Sequence, residues 1–218
     1  LSAISDRKMS HLRTLEQLCS GSVEGRSLRG RKVLVRVDFN VPRSGDRIVD
    51  DTRIREALPT LRSLSKAGAR SVLISHGGRP KGRVVPEMSL RPVVGSLAKL
   101  TGKEVGFGSD CVGELAASTV REVPDGGLCL LENLRFHSGE EANDEDFAAA
   151  LARHADLYVN DAFGCCHRAH ASIVGLPAGM ESAVAGSLLE KEIEAFDRLL
   201  SCREHPFVAI LGGAKIKG

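Results

Sequence analysis

The decapeptide Val33–Pro42, VLVRVDFNVP, narrows the choice of folds more than any other stretch of this chain. It begins as a β-branched apolar run (Val33, Leu34, Val35, Val37), which reads as a strand buried on both faces. It ends in Asp38 and Asn40, polar groups that a core would not choose, followed by Pro42. An apolar strand that delivers polar side chains at its C-terminal end is the layout of an open α/β sheet, where ligands collect along that edge.

The pattern recurs. SVLIS (Ser71–Ser75) runs into His76-Gly77-Gly78-Arg79-Pro80-Lys81-Gly82. LCLL (Leu128–Leu131) runs into Glu132-Asn133-Leu134-Arg135-Phe136-His137, and Leu157–Val159 into Asn160-Asp161 and a polar loop to His170. Glu104–Phe107 is a short further strand, and FVAIL (Phe207–Leu211) runs into Gly212-Gly213-Ala214-Lys215. Between the strands lie apolar positions at helical spacing. Asp51 is a helix cap before Ile54, Leu58, Leu61 and Leu64, with Pro59 a mark against regularity; Ser89, Asp110 and Asn143 cap the next three helices. Ser187 and Glu190 read as a capping box on an amphipathic helix with Leu189, Ile193, Phe196 and Leu200. Alternating strands and helices predict right-handed βαβ units: an α/β three-layer sandwich with a parallel, Rossmann-like sheet. The polar clusters would then meet at one sheet edge.

Composition excludes several alternatives. At 218 residues the chain suffices for one good-sized core, and 42% hydrophobic with 27% charged residues is ordinary for a globular protein. A net charge of +2, 4% aromatics and no Trp give no case for nucleic acid. No apolar run approaches the roughly 18 residues that a membrane span needs. The six cysteines include no CxxC, a reducing-compartment pattern. Residues 1–30 are Ser- and Arg-rich and read as an N-terminal extension, flexible or the remnant of a transit peptide.

The strand-end loops supply Arg79, Arg135 and Arg168, with His76, His137, His167 and His170 beside them, and Arg53 can face the same edge. Singly, each arginine reads more readily as a surface charge or salt-bridge partner, and Asp38 and Asn40 equally well as shaping the turn before Pro42. Together, arginines converging from separate strands repel one another unless an anion lies between them, and a guanidinium grips phosphate or carboxylate two oxygens at a time. Asp38 and Asn40 suit hydroxyls. The implied ligand is small, multiply anionic and hydroxylated. Gly212, Gly213 and Lys215 form a second kind of site: a glycine turn that lets backbone approach a phosphate, or simply a tight strand-to-helix turn. A metal cluster from Cys165, Cys166, His167 and His170 ranks low for want of ligand spacing, as does a cysteine nucleophile there. Glu140-Glu141 reads as a solvated helix start. No GxGxxG follows the first strand, against a dinucleotide oxidoreductase.

With these residues assembled, the sequence resembles the phosphoglycerate kinases. The stretches that carry the resemblance are Val35–Pro42, Asp50–Ile54, Ser75–Gly82, Leu130–Glu141, Tyr158–Ser172, Ala185–Ile193 and Ala209–Lys215, in that order. The resemblance implies the N-terminal lobe of a bilobal kinase: an extension over 1–30, a phosphoglycerate-binding domain over 31–185, an interdomain helix over 186–204 and the start of a nucleotide-binding domain over 205–218. It implies reversible phosphoryl transfer between 1,3-bisphosphoglycerate and ADP, giving 3-phosphoglycerate and ATP, in a monomer that uses Mg2+ and binds neither nucleic acid nor membrane. It implies a cytoplasmic enzyme, or a plastid or other organellar one if residues 1–30 are a transit remnant. Asp38 and Asn40 are then expected at the glycerate end, and His76, Arg79, Arg135 and Arg168 on the phosphate that does not react. Arg53 is expected at the transferring group, and Lys215 at that group and the nucleotide phosphates, with Gly212 and Gly213 beside it. No metal ligand is expected in this stretch, the Mg2+ carboxylate lying beyond it. The alternative is a module that captures 3-phosphoglycerate and transfers nothing. Gly77, where the family has a larger apolar residue, is expected to loosen its loop, and Ile216-Lys217-Gly218 departs from the usual continuation.

Overall fold

The computed structural model describes residues 12–21, 27–202, 206, 208 and 210. Chain order runs α1 (Leu15–Cys19), β1 (Lys32–Val37), a two-residue-per-arm hairpin of β2 (Arg43–Ser44) and β3 (Arg47–Ile48), then α2 (Thr52–Glu56), α3 (Leu58–Lys66) and β4 (Arg70–Ile74). It continues with α4 (Arg91–Thr101), β5 (Val105–Gly108), α5 (Gly113–Glu122), β6 (Leu128–Leu131), α6 (Ser138–Ala142) and α7 (Glu145–Ala152). The last elements are β7 (Leu157–Asp161), α8 (Gly175–Gly179), β8 (Ala183–Ala185) and α9 (Ser187–Ser201).

Six strands form one parallel sheet in the order β5-β6-β4-β1-β7-β8. Strand alternation divides the core into two layers. Val33, Val35, Val37, Leu73, Leu130 and Val159 face α1, α2, α3 and α4 through Leu15, Leu18, Ile54, Leu61, Leu64, Val93 and Leu97. Leu34, Val72, Ile74, Cys129, Leu131 and Tyr158 face α5, α7 and α8 through Ala116, Val120, Phe147, Leu151 and Leu176. This is the expected three-layer sandwich with a parallel sheet. The chain moves outward from β1 to β4 on one side and returns to β7 on the other, so the crevice beside β1 is the switch point where such folds bind ligands.

Several local expectations give way to tertiary partners. The helix expected from Asp51 is broken at Ala57 into α2 and α3, which puts Pro59 in the first turn of α3, where a missing N–H costs nothing. Asp50, one residue earlier, accepts from the Thr52 N–H (2.9 Å), while the Asp51 carboxylate holds Arg55 (2.7 and 2.8 Å). Asp144 caps α7, and Asn143 instead takes the left-handed conformation that ends α6 (φ 52°). Ser187 is already helical and forms no capping box; the Leu188 N–H is taken by Asp161 from β7 (2.9 Å), and the Ser187 N–H by Thr60 from α3 (2.9 Å). β8, too short to register as a periodic pattern, completes the sheet.

Residues 12–21 and 27–30 pack as part of the domain rather than as an appendage to it. Leu15, Leu18 and Leu28 are buried in the first core layer. Thr14 bridges Ala185 of β8, and the Ala185 N–H donates to the Arg13 carbonyl (2.9 Å). Glu190 of α9 accepts from the Leu15 N–H at the start of α1 (2.8 Å). The strand expected at Phe207–Leu211 and the turn with Gly212, Gly213 and Lys215 lie outside the described residues, apart from isolated positions 208 and 210. Among the described residues, no helix is long and apolar enough to cross a membrane.

Candidate functional site

The C-terminal ends of β1, β4, β6 and β7 open onto one crevice. From β1 come Arg36, Asp38 and Asn40. Asp38 is paired with Arg53 of α2 (2.6 Å), and Asn40 Oδ1 accepts from the Gly78 N–H (3.0 Å). β1 and β4 are also tied by the Phe39 N–H, which donates to Ser75 Oγ (2.8 Å).

The loop after β4 carries His76. Asn133, after β6, accepts from the Gly77 N–H (3.1 Å) and donates to the Gly77 carbonyl (2.7 Å) and the Met88 carbonyl (2.9 Å). Gly77 therefore does not loosen this loop: a Cβ there would lie 3.1 Å from the Met88 carbonyl, and Asn133 pins the backbone on both sides. Arg135 is buried, donates to the Gly78 carbonyl (2.7 Å) and pairs with Glu141 (3.3 Å). Its Nε is the atom that faces Glu141 in that pair, and it makes no hydrogen bond among the described residues.

Arg36 is the residue that the sequence pattern hid. It sits one residue before the C-terminal end of β1 with no exposed surface, Nε donating to Ser172 Oγ (2.9 Å), Nη1 to the Val37 carbonyl and Nη2 to His76 Nδ1 (3.1 Å). An apolar run interrupted at one position by an arginine was the available signal, because a strand buried on both faces has no cheap place for a charge. Ser172 in turn donates its hydroxyl to Glu140 (2.6 Å) and its N–H to the other oxygen of the same carboxylate (2.9 Å). Glu140 is thus fully buried rather than solvated, for it supplies the carboxylate nearest to this chain of donors.

The electrostatics identify what the crevice prefers. His76 is buried and held down to about 2 from an ordinary 6.5, by burial first and then by Arg36, Arg135, Arg168 and Arg53. Four guanidiniums from three strand ends and one helix therefore converge on one imidazole. A guanidinium only donates, so Nδ1 accepts from Arg36 and the ring proton of the neutral imidazole lies on Nε2, making His76 a donor. Arg168 donates from Nε to His167 Nε2 (3.0 Å). Arg79 is exposed on the His76 loop and makes no ion pair among the described residues. His137 lies away from that set, against Asp110 (2.7 Å) and stacked on Phe147.

Asp38, His76 and Cys165 bring donor atoms within 4.8 Å of one another. The spacing would admit a metal, but the guanidiniums around His76 repel a cation, and burial raises the Cys165 thiol. Mg2+ requires oxygen ligands in near-octahedral array, and the crevice offers guanidiniums, an imidazole and a thiol around one carboxylate. These residues do not fit it.

Comparison with known proteins follows this geometry. The phosphoglycerate kinase family model matches residues 23–218. The phosphoglycerate kinases of Caulobacter vibrioides and Pelotomaculum thermopropionicum are each 53% identical over 189 residues, which is 87% of this chain and 48% of theirs. Among solved structures, phosphoglycerate kinase from Coxiella burnetii superimposes with a TM-score of 0.76 at 37% identity, over 87% of this chain and 47% of that one. The enzyme from Pyrococcus horikoshii gives 0.79 at 32% identity, over 88% and 49%. The chain spans about half the length of the relatives that it matches. On the length of the family match, the order of the shared stretches and the shared sheet, the chain belongs to the phosphoglycerate kinase family.

Proposed function

We propose that this chain forms the phosphoglycerate-binding part of a phosphoglycerate kinase, which transfers a phosphoryl group reversibly between 1,3-bisphosphoglycerate and ADP. The observation that supports this reading most is the convergence of Arg36, Arg53, Arg135 and Arg168 on a neutral, buried His76. Like charges gathered this closely are relieved by a multiply charged anion.

In this reading Arg36, Arg135, Arg168 and the Nε2–H of His76 hold the phosphate that does not react, with the exposed Arg79 adding an outer contact. Arg135 Nε, paired with Glu141 at 3.3 Å but without a hydrogen bond among the described residues, is free to donate to an anion that enters the crevice. Asp38 and Asn40 receive the hydroxyl and carboxyl end. Arg53 has half of its side chain exposed and, among the described residues, is tethered to Asp38 alone. A ligand hydroxyl that competes for Asp38 frees Arg53 to turn toward the transferring phosphoryl group, whose equatorial oxygens need positioned cations. Lys215, Gly212 and Gly213 are assigned to the nucleotide phosphates. Mg2+ shields the nucleotide's charge when bound, through residues other than those of this crevice. The outward-facing Phe196, Leu199 and Leu200 of α9 suit a helix that leads into a second lobe.

The test is a calorimetric titration of the 218-residue chain with 3-phosphoglycerate. Binding that is lost in Arg135→Ala is the expected result. Equal affinity of the wild type and Arg135→Ala would overturn the reading. A second reading, a module that binds without transferring, applies to the chain by itself and predicts the same titration with no ATP-dependent turnover.

A further inference from the structure

The buried carboxylate of Glu140 has no place in the proposed chemistry, yet it is fully enclosed and committed on both oxygens. Oε1 accepts the Ser172 hydroxyl (2.6 Å) and Oε2 the Ser172 N–H (2.9 Å), while the Glu140 carbonyl accepts the Ala171 N–H (2.9 Å). His170 Nδ1 lies 3.8 Å from Oε1. Ser172 is also fully buried and receives Arg36 Nε at 2.9 Å. The directions are fixed by chemistry. Arg36 has no acceptor, so Ser172 Oγ must accept from it, and the one hydroxyl proton must go to Glu140. Arg36 Nη2 donates onward to His76 Nδ1 (3.1 Å), which leaves the ring proton on Nε2.

The chain from carboxylate to imidazole therefore turns at Arg36, which donates on one side to Ser172, and so toward Glu140, and on the other to His76. It crosses three separate stretches, α6, the segment after the Arg168 loop, and β1, before it reaches the loop after β4. We propose that Glu140 is a positioning residue for the anion site: through Ser172 it holds Arg36 in β1, and through Arg36 it fixes His76 as an Nε2–H donor facing the bound phosphate. The inference rests on the reading of the crevice as a phosphoglycerate site. It explains why a carboxylate is required. Ser172 presents two donors to residue 140, and only a carboxylate accepts both. A glutamine must set its NH2 against one of them, whichever way it is flipped. Removing the negative charge also leaves Arg36 as a buried cation one hydroxyl away from no counter-charge.

The experiment combines two measurements on the 218-residue chain: calorimetry with 3-phosphoglycerate, and the 15N chemical shifts of the His76 ring, which distinguish the two neutral tautomers. The variants are Glu140→Gln and Ser172→Ala. The second removes only the hydroxyl and leaves the Ser172 N–H on Glu140, so it serves if Glu140→Gln fails to fold. The wild type is expected to show the Nε2–H tautomer alone. Each folded variant is expected to show a tautomer mixture and an affinity lower by about tenfold or more. A folded variant with an unchanged tautomer overturns the proposal, even if its affinity falls, because the loss would then be structural. An unchanged affinity alongside an altered tautomer overturns it as well. A wild-type chain that binds no 3-phosphoglycerate, with the variants still showing the tautomer mixture, would sink the functional reading and, with it, the role assigned to Glu140, while leaving the hydrogen-bond chain itself demonstrated.

Discussion

His76 should make the domain less stable in mild acid, by an amount that the structure fixes. Its native value of about 2 lies below the ordinary 6.5 because it is buried and faces Arg36, Arg135, Arg168 and Arg53. The folded state therefore keeps the ring neutral while the unfolded chain binds a proton below pH 6.5. A depressed native value contributes stability that is complete above the unfolded value and is lost as pH falls toward the folded one. The loss is about 1.4 kcal/mol per pH unit, or about 2.7 kcal/mol by pH 4.5. The informative comparison is His76→Asn, which sets an acceptor oxygen near the Nδ1 position for Arg36 but does not titrate. Urea unfolding followed by circular dichroism at several pH values between 4.5 and 7.5 gives the stability of each protein. Relative to the wild type, the variant should gain about 2.7 kcal/mol across that range, whichever is the more stable at neutral pH. A difference that stays constant with pH would refute the argument. It would mean that the arginines do not surround the ring, or that His76 is already charged.

Three further outcomes follow from other residues. Asp161 is pushed up to about 6 by burial, so it acts in the opposite sense: its protonated form stabilises the fold below the unfolded value, and that contribution is lost as pH rises through about 6. Asp161→Asn should remove this fall between about pH 4 and 6, and an unchanged pH profile relative to the wild type would count against it. Leu18→Ala should cost about 2–4 kcal/mol in the same unfolding experiment, because its side chain is buried in the core between α1 and the sheet; a cost below about 0.5 kcal/mol would show that α1 is not docked. Alkylation of the native chain should label the exposed Cys166 and Cys202 and spare the buried Cys111 and Cys129 until denaturant is added; mass spectrometry showing early labelling of Cys129 would contradict the packing of β6.

What the sequence disclosed, and what it did not, follows from the range of the interactions involved. Strands buried on both faces must be continuous apolar runs, so Val33–Val37 and Leu128–Leu131 stand out without knowledge of their neighbours. Polar residues just after such runs fall at one sheet edge by topology, which is why Asp38, Asn40, His76 and Arg135 could be grouped. Arg36 escaped because attention to the apolar members of its strand passed over the single charged one. Glu140 escaped for a different reason. Its partner Ser172 is 32 residues away, and nothing local distinguishes a buried glutamate from a solvated one. The helix starts shifted by one residue wherever a distant group, such as Asp161 or Thr60, supplied the cap that a local side chain was expected to provide. Arg79 was grouped with the others by its loop, and it is exposed where Arg36 and Arg135 are buried.

The clasp on α1 bears on how the chain is made. Leu15 and Glu190 are 175 positions apart, and Arg13 and Thr14 lie along β8, at the sheet's edge. At about 5–20 residues per second, a ribosome would take roughly 10–35 s to supply α9 after α1 had left it. Through that interval α1 waits without its partners in β8 and α9. Closing so long a loop costs little more than closing one of half its length, so the burden is one of time rather than of equilibrium. Until the loop closes, β8 is an open edge that another chain could pair with.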